Sequence, residues 1–413
     1  MSVAVWGAWE RRLGAEGWAV CGAEAVARPA DLEQTVAVVR WAGEEGTRIR
    51  VGGGGGGAGP AQRADATPAL GLDLSRMRRL RFYEPGDLTA GWDAGATAAE
   101  VNAVLGRQGQ FLPLDGSPGD GGSLGAICAA QRSGPLRHGY GTVRDFVIGI
   151  EAVTAAGAIV HGGGRVVKNV AGYDLMRLLI GSRGTLAVIT GVNCKVFPAL
   201  SETETVAFAL PDLAAAERLR TRLLHSPLRL LALELTNTPV AGAAAGPYRA
   251  LARFQGSAAV RARYHRELAA VGEEVAVAAQ PVAAEGALWT AWEAEPMSLA
   301  IGAPSGAAVE LLRRTEEMAA KAGRVLRFRG RLGLGVFSLQ ALPAWQAEPG
   351  AGWRRQWRAM AARVHADAWL RSPEDGADAA GPADGRDGGW MRRLKQHLDP
   401  GGVLGPAPAE ADR

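Results

Sequence analysis

Six consecutive glycines, Gly52 to Gly57, follow Arg48 to Val51, which reads as a short strand. A backbone without Cβ atoms can curl its N–H groups into a concave nest and let a phosphate approach. Gly52, Gly54 and Gly57 also satisfy G-x-G-x-x-G, with Asp73 about twenty residues further on. A dinucleotide site of the Rossmann kind needs a helix starting at those glycines. The next residues include Gly59, Pro60, Asp65 and Pro68 and show no helical period. A Lys-Ser or Lys-Thr pair is missing too, which sets aside a triphosphate loop. An anion-binding glycine loop is the chemical reading, and a flexible low-complexity loop the plain one.

Two further groups of residues could do chemistry. Lys168, Asn169, Tyr173 and Asp174 cluster in one segment, which also reads as a capped turn before a helix. Arg329 and Arg331 alternate in Phe328–Phe337 (FRGRLGLGVF). An arginine fork binds a carboxylate through two parallel hydrogen bonds, although strand arginines are also ordinary surface charges. His138 reads best as a surface-loop residue, and His161 is the other histidine of the first 200 residues. Cys21, Cys128 and Cys194 are isolated, with no C-x-x-C, so neither an iron–sulfur cluster nor a zinc site is supported in this chain. No metal is expected, and buried reduced thiols are.

The elements that must position these groups follow from periodicity. Asp31 opens a helix to about Glu45, and Arg48–Val51, Leu70–Leu74 and Leu88–Ala94 read as strands. Thr97 with Glu100 forms a capping box before a helix to about Gln108. Phe146–Ala155 and Ala158–Val160 form a hairpin turning at Ala156-Gly157, and Thr185–Phe197 is a strand. From Ser201 strands and helices alternate as in an antiparallel α+β domain. Trp353–Trp369 and Gly389–Leu398 read as helices, separated by an acidic Gly/Ala/Pro-rich stretch that reads as a mobile loop. The expected division is residues 1–200 (core 28–198), an α+β cap domain over 201–340, and a helical C-terminal segment over 341–413 with its loop at 372–389.

Composition narrows the class. The 413 residues are 47% hydrophobic and 21% charged, which is ordinary globular material. The 57 glycines follow no Gly-X-Y period, which excludes collagen. Basic residues (46) nearly balance acidic ones (42), and the basic runs are short, so nucleic-acid binding is not expected. No run of about 18 apolar residues occurs, so no membrane span is expected. The N-terminus lacks the pattern of a secretory signal, and the expected location is cytoplasmic, with peripheral membrane attachment through partners left open.

Leu72–Met77 (LDLSRM), Val143–Gly149 (VRDFVIG), Val167–Leu175 (VKNVAGYDL) and Gly181–Thr190 (GSRGTLAVIT), taken with the glycine loop, are similar to the FAD-binding domain of the vanillyl-alcohol oxidase / p-cresol methylhydroxylase superfamily. Within it the chain most resembles the FAD-binding subunit of glycolate oxidase (glycolate dehydrogenase). The likeness spans roughly Arg28 to Pro198, with an echo at Leu394–Pro406. It implies an α+β fold: a two-subdomain FAD-binding module with an antiparallel α+β cap and a helical C-terminal segment. The resemblance makes Gly52, Gly53, Gly54, Gly55, Gly56 and Gly57 the first pyrophosphate loop. Pro113, Leu114, Gly119, Gly122, Ser123, Leu124, Gly125, Gly134 and Pro135 belong to the second loop, beside the pyrophosphate and flavin ring. Lys168, Asn169, Gly172, Tyr173 and Asp174 lie near the site, and Gly184 and Ile189 lie near the adenine half. No histidine stands in the first loop, so the FAD is expected to be non-covalent. The chain departs from its relatives at Ala126, Ala187 and Leu404-Gly405-Pro406.

The resemblance also implies oxidation of a small 2-hydroxy acid of the glycolate or D-lactate type, with hydride passing to flavin. Lys168, Tyr173, Arg329 and Arg331 are the candidate catalytic residues. A Gly-Asp-Gly-Asn-x-His segment, expected of a self-sufficient sibling, does not occur. The implied arrangement is therefore one subunit of a complex, with a homologous FAD subunit and an iron–sulfur subunit as partners. The alternatives are a self-sufficient FAD oxidase of another small substrate and a flavin-free structural subunit.

Overall fold

The computed structural model describes residues 9, 12–14, 16–21, 24–52, 69–114, 122–167, 173–200, 202–243, 245–283, 285–294, 299–342, 352–365, 367–371 and 388–405. The chain starts with β1 (Trp18–Cys21), β2 (Glu24–Ala27), helix α1 (Leu32–Glu44), β3 (Arg48–Gly52) and β4 (Ala69–Asp73). Asp31 starts α1 as expected, its carboxylate accepting from Gln34 N at 2.8 Å. Thr35, Val38, Val39 and Ala42 form the buried face of α1. The strands assemble in the order β1-β2-β4-β3, with β4 parallel to both neighbours. This sheet carries Gly52 to its edge, where the glycine run begins.

A second layer contains β5 (Leu80–Glu84), β6 (Thr89–Asp93), α2 (Ala98–Gly106), β7 (Gln110–Phe111), α3 (Leu124–Ala130), α4 (Arg137–Tyr140) and α5 (Val143–Phe146). It continues with β8 (Val147–Thr154), β9 (Ile159–Gly163), α6 (Leu175–Leu179), β10 (Ala187–Lys195) and β11 (Phe197–Pro198). Five strands form an antiparallel sheet in the order β5-β6-β10-β8-β9. The capping box of Thr97 and Glu100 and the β8–β9 hairpin are both present. Arg81, on β5, ties three further strands to its own. Its Nε donates to Asp93 at 2.7 Å, and its Nη2 donates to Glu151 at 2.7 Å and to the Thr190 carbonyl at 3.1 Å. Burial opposes ionisation of Glu151, yet Arg81, Thr190 and His161 hold its carboxyl below the ordinary range.

The cap contains β12 (Thr203–Leu210), α7 (Leu213–Leu224), β13 (Ala232–Thr236), β14 (Tyr248–Gln255), α8 (Ala258–Glu274), β15 (Ala278–Pro281), α9 (Glu285–Ala294) and β16 (Leu299–Gly302). It ends with α10 (Ser305–Lys321), β17 (Val325–Arg331), β18 (Val336–Leu342), α11 (Gly352–Val364) and β19 (Trp369–Arg371). Eight antiparallel strands run in the order β15-β12-β14-β13-β17-β18-β16-β19. Alternation along the strands separates two faces. Phe208, Leu233, Leu235, Phe254, Phe328 and Phe337 point into one core together with residues of α7, α8, α10 and α11. Fully burying such a side chain stabilises the fold by roughly 1.5–3 kcal/mol. On the other face Ala207, Ala232 and Leu251 pack against Leu288, Trp289 and Trp292 of α9.

The tryptophan–arginine run at Trp353–Arg358 is the start of α11. Trp353 and Trp357 are buried, and Trp357 Nε1 donates to Thr315 at 3.0 Å, so its aromatics serve the cap core. The helix expected to reach Trp369 stops at Val364, because Trp369 joins the sheet as β19 opposite Gly302. Residues 372–387 lie outside the described residues. The last helix, α12 (Gly388–Leu398), leads the chain back to the first domain, where Val403 and Leu404 join its core. Among the described residues no helix is long and apolar enough to cross a membrane.

Candidate functional site

Strand β3, helix α3 and the turn Gly181–Thr185 converge. Gly184 has φ +75°, in the left-handed region, and a Cβ there would lie 3.1 Å from Val51 Cβ. The absence of a side chain therefore lets the turn rest on the end of β3, directly before the glycine run. The same turn caps the carbonyl end of α3, since Gly181 N donates to Cys128 O at 3.0 Å and Arg183 N to Ala129 O at 2.7 Å. At its other end α3 is fixed by Ser123, whose hydroxyl accepts from Ala126 N at 3.3 Å. Leu124 N donates to Ala96 O and Gly125 N to Ala94 O, both at 2.8 Å. A Cβ on Gly125 would approach Ala94 Cβ to 2.9 Å, so α3 sits tightly on the end of β6.

The C-terminal segment buckles this assembly. Ile49 N donates to Val403 O at 2.6 Å, and Gly405 N donates to Ile49 O at 2.8 Å. Lys395 is buried and donates to Thr185 O at 2.6 Å, to Asp399 and to Leu404 O. Asp399 also accepts from Val403 N and Leu404 N, each at 2.8 Å. Burial lowers the Lys395 pKa, with Asp399 opposing. One buried lysine thereby joins the turn at Thr185 to the C-terminal stretch that is bridged to β3 at Ile49. Leu404 thus closes the buckle within the Leu394–Pro406 stretch singled out in the sequence.

The expected cofactor residues fall in several places. Gly52, Gly122, Ser123, Leu124, Gly125 and Gly184 lie on the elements that converge. Pro113 and Leu114 follow β7, where Leu112 N donates to Asn102 at 2.7 Å. Ile189 belongs to β10 and is buried in the core behind α3. Gly134 and Pro135 face the cap, as shown below. Tyr173 stands apart, 92% exposed, and Asp174 caps α6 by accepting from Arg177 N at 3.1 Å. Gly53–Gly57, Gly119, Lys168, Asn169 and Gly172 lie outside the described residues.

Two buried hydroxyls bear on what the convergence could hold. Ser182 is 5% exposed, and its Oγ has no partner, nor has the buried Oγ of Ser133. An unsatisfied buried hydroxyl is costly unless something completes it. Ser182 lies in the turn against β3, and Ser133 lies in the segment after α3. Backbone turns, the start of a glycine run and unpaired hydroxyls suit a nucleotide, whose phosphates and ribose bring both acceptors and donors. The residues present fit an FAD.

One cap arginine reaches this domain, and two others stay within the cap. Arg331 Nε donates to Gly134 O at 3.0 Å, and its Nη2 donates to Ser133 O. Arg329 donates to the Trp292 carbonyl, with its guanidinium 5.9 Å from the Trp292 ring centroid. Arg253 had no role in the sequence reading. Its Nε donates to Glu285 at 2.7 Å, and its guanidinium lies 5.2 Å from the Trp289 ring centroid. Periodicity alone cannot reveal such pairings, because their partners lie on α9. Lys395 carried no signal beyond the echo at Leu394–Pro406, whereas Ser182 stands inside the quoted Gly181–Thr190 segment.

A cavity of about 260 Å³ opens on the five-stranded sheet, lined by Arg81, Phe82, Glu151, His161, Arg165 and Asn193 among others. None of the expected site residues lines it. Burial raises the pKa of the Cys128 thiol to about 12 and that of Cys194 as well. Among the described residues no group of His, Cys, Asp and Glu could hold a metal ion.

The fold is that of p-cresol methylhydroxylase. A substrate-bound structure of that enzyme superposes with a TM-score of 0.70 at 13% identity, covering 99% of this chain and 96% of its own. Residues 23–163 match the family described as FAD binding domain. The matched segment is therefore an FAD binding domain, and FAD is its cofactor. The chain is 38% identical over 151 residues to a mitochondrial D-lactate dehydrogenase (cytochrome) of Arabidopsis thaliana, covering 33% of this chain and 26% of that protein. It is 40% identical over 128 residues to the glycolate oxidase subunit GlcE of Escherichia coli (strain K12), covering 31% of this chain and 37% of that one. The matched segments thus span well under half of these relatives.

Proposed function

We propose that this chain is the FAD-holding subunit of a dehydrogenase complex acting on a small 2-hydroxy acid of the glycolate or D-lactate type. The observation that carries the reading is the convergence of β3, α3 and the Gly181–Thr185 turn around the unpaired Ser182 hydroxyl, inside an FAD binding domain. Its similarity to a D-lactate dehydrogenase and a glycolate oxidase subunit supports the substrate class.

Bound non-covalently, FAD would supply a hydride acceptor or an electron relay. Gly52 and the turn at Gly184 would bind its nucleotide half, with Ser182 completing a hydrogen bond there. The segment around Gly134 and Pro135 would orient the ring end, and α9 would exclude water from one side of the cap sheet. Lys168 and Tyr173 remain the proposed polar groups of the neighbouring loop.

The cap arginines support the partner-dependent version. Arg253 and Arg329 are engaged by α9, and Arg331 by backbone carbonyls, so the guanidinium groups suited to a substrate carboxylate hold protein instead. Substrate oxidation would then fall to a homologous FAD subunit, and onward transfer to an iron–sulfur subunit. The purified chain should take up FAD and turn yellow, yet show little glycolate or lactate turnover with an artificial acceptor until those partners are co-expressed. High turnover by the chain alone would overturn the partner-dependent version, and peroxide release would favour a self-sufficient oxidase. No flavin uptake on reconstitution would point to a flavin-free structural subunit.

A further inference from the structure

We infer that Arg331 is a positioning residue, through which the cap sheet sets the place of the segment Ser133–Gly139 beside the FAD cradle. This rests on the reading above for the cofactor, but its geometry stands independently. Arg331 is held rigidly, paired across the sheet with Glu234 on β13 and Val336 on β18. From that base its fork reaches the carbonyls of Ser133 and Gly134, nearly two hundred positions earlier in the chain. Arginine suits this role because its planar fork can meet adjacent acceptors in one fixed geometry.

Two more contacts bind the same segment to the cap. Gly139 N donates to Leu231 O at 3.1 Å. His138 packs against Gly333, in the turn immediately after Arg331, where a Cβ would come within 2.6 Å of the imidazole. The turn at Leu332–Gly335 is itself anchored, with Leu332 N donating to Leu233 O at 2.9 Å. The segment so held follows α3, and α3 is capped by the Gly181–Thr185 turn. Cap, segment, helix and cradle therefore form one continuous chain of contacts. The arrangement brings like charges together, since Arg331 helps to lower the Arg137 pKa after burial and against Asp145. Carbonyl acceptors offset that repulsion only while the fork is in place.

The test uses the full chain and two readouts. Hydrogen–deuterium exchange over residues 131–141 in FAD-free protein reads the clamp, and flavin fluorescence titration reads FAD affinity. Arg331→Ala should speed exchange in that segment and weaken FAD binding by about tenfold or more. Arg331→Lys should restore part of both, because it keeps the charge and loses the fork. Visible circular dichroism of bound flavin should change in the Ala variant and partly return in the Lys variant. Arg327→Ala, on the same strand but exposed, should change neither readout. Gly333→Ala should repeat the Arg331→Ala effect, and adding His138→Ala should relieve it, which global destabilisation would not allow. Unchanged exchange over 131–141 in both Arg331 variants overturns the inference. Failure of the wild-type chain to bind FAD would instead overturn the cofactor reading, leaving the exchange result to decide the clamp.

Discussion

The cradle proposed for FAD and the α9-covered side of the cap sheet treat these polar groups in opposite ways. In and beside the cradle, the hydroxyls of Ser182 and Ser133 are buried without partners. On the cap, Arg253 is paired with Glu285, Arg329 with the Trp292 carbonyl, and Arg331 with Ser133 and Gly134 carbonyls. A buried group left unsatisfied costs roughly 1–3 kcal/mol. A ligand can recover that cost in the first region, whereas in the second it would first have to break existing bonds. The contrast teaches that the turn at Ser182 leaves a hydroxyl for a ligand to complete, while these cap arginines hold structure together.

The largest effect that could break this comparison is expected at Arg253. Arg253→Ala would leave Glu285 largely buried without its cation, and the cap should lose about 3–5 kcal/mol by chemical denaturation. FAD affinity should stay unchanged, and a loss equal to that of a cradle variant would erase the distinction between the regions. Gly184→Ala comes next. The left-handed conformation costs an L-residue about 1–2 kcal/mol, and the new Cβ would press on Val51. Fluorescence titration should show FAD binding weakened by at least about tenfold.

Ser182→Ala sharpens the comparison, because stability and affinity should move apart. Thermal unfolding without FAD should be unchanged or slightly improved, while FAD affinity falls by about 1 kcal/mol. Equal loss in both would mean that the hydroxyl serves the fold alone. The smallest effect concerns pH at the boundary of the two regions. Burial lowers the His138 pKa, so below about 6.5 the unfolded chain binds a proton that the folded chain resists. Stability should therefore fall as pH drops below about 6.5 and level off below the folded pKa, at no more than about 1.4 kcal/mol per pH unit. His138→Asn should flatten that slope in denaturation curves measured between pH 7 and pH 5.

Much of the scaffold was legible before the structure. Asp31 and Thr97 stand at helix starts, and each side chain caps its helix by a local hydrogen bond. Such signals lie within a few residues of what they control. The short strands β1, β2 and β5 and the aromatic helix α9 escaped the reading, because their apolar residues are ordered by partners distant in the chain. The glycine-rich segments were readable as backbone built for close approach, and Gly184 meets that requirement through its left-handed turn. Arg329 and Arg331 were visible as strand arginines with two equally good fates.

By itself the sequence determined the fold class, the likeness to an FAD domain and which segments are expected beside the cofactor. These are properties of residue type and short-range spacing: glycine for backbone approach, capping residues for helices and alternation for sheets. Only the tertiary structure decided that Lys395 buckles the chain end onto Thr185, that Ser182 is left buried without a partner, and that Arg331 reaches the carbonyls before His138. The physical reason is separation along the chain. A guanidinium or ammonium group can be satisfied by any carbonyl or carboxylate that folding brings within about 3 Å, and local sequence carries no record of which one that will be.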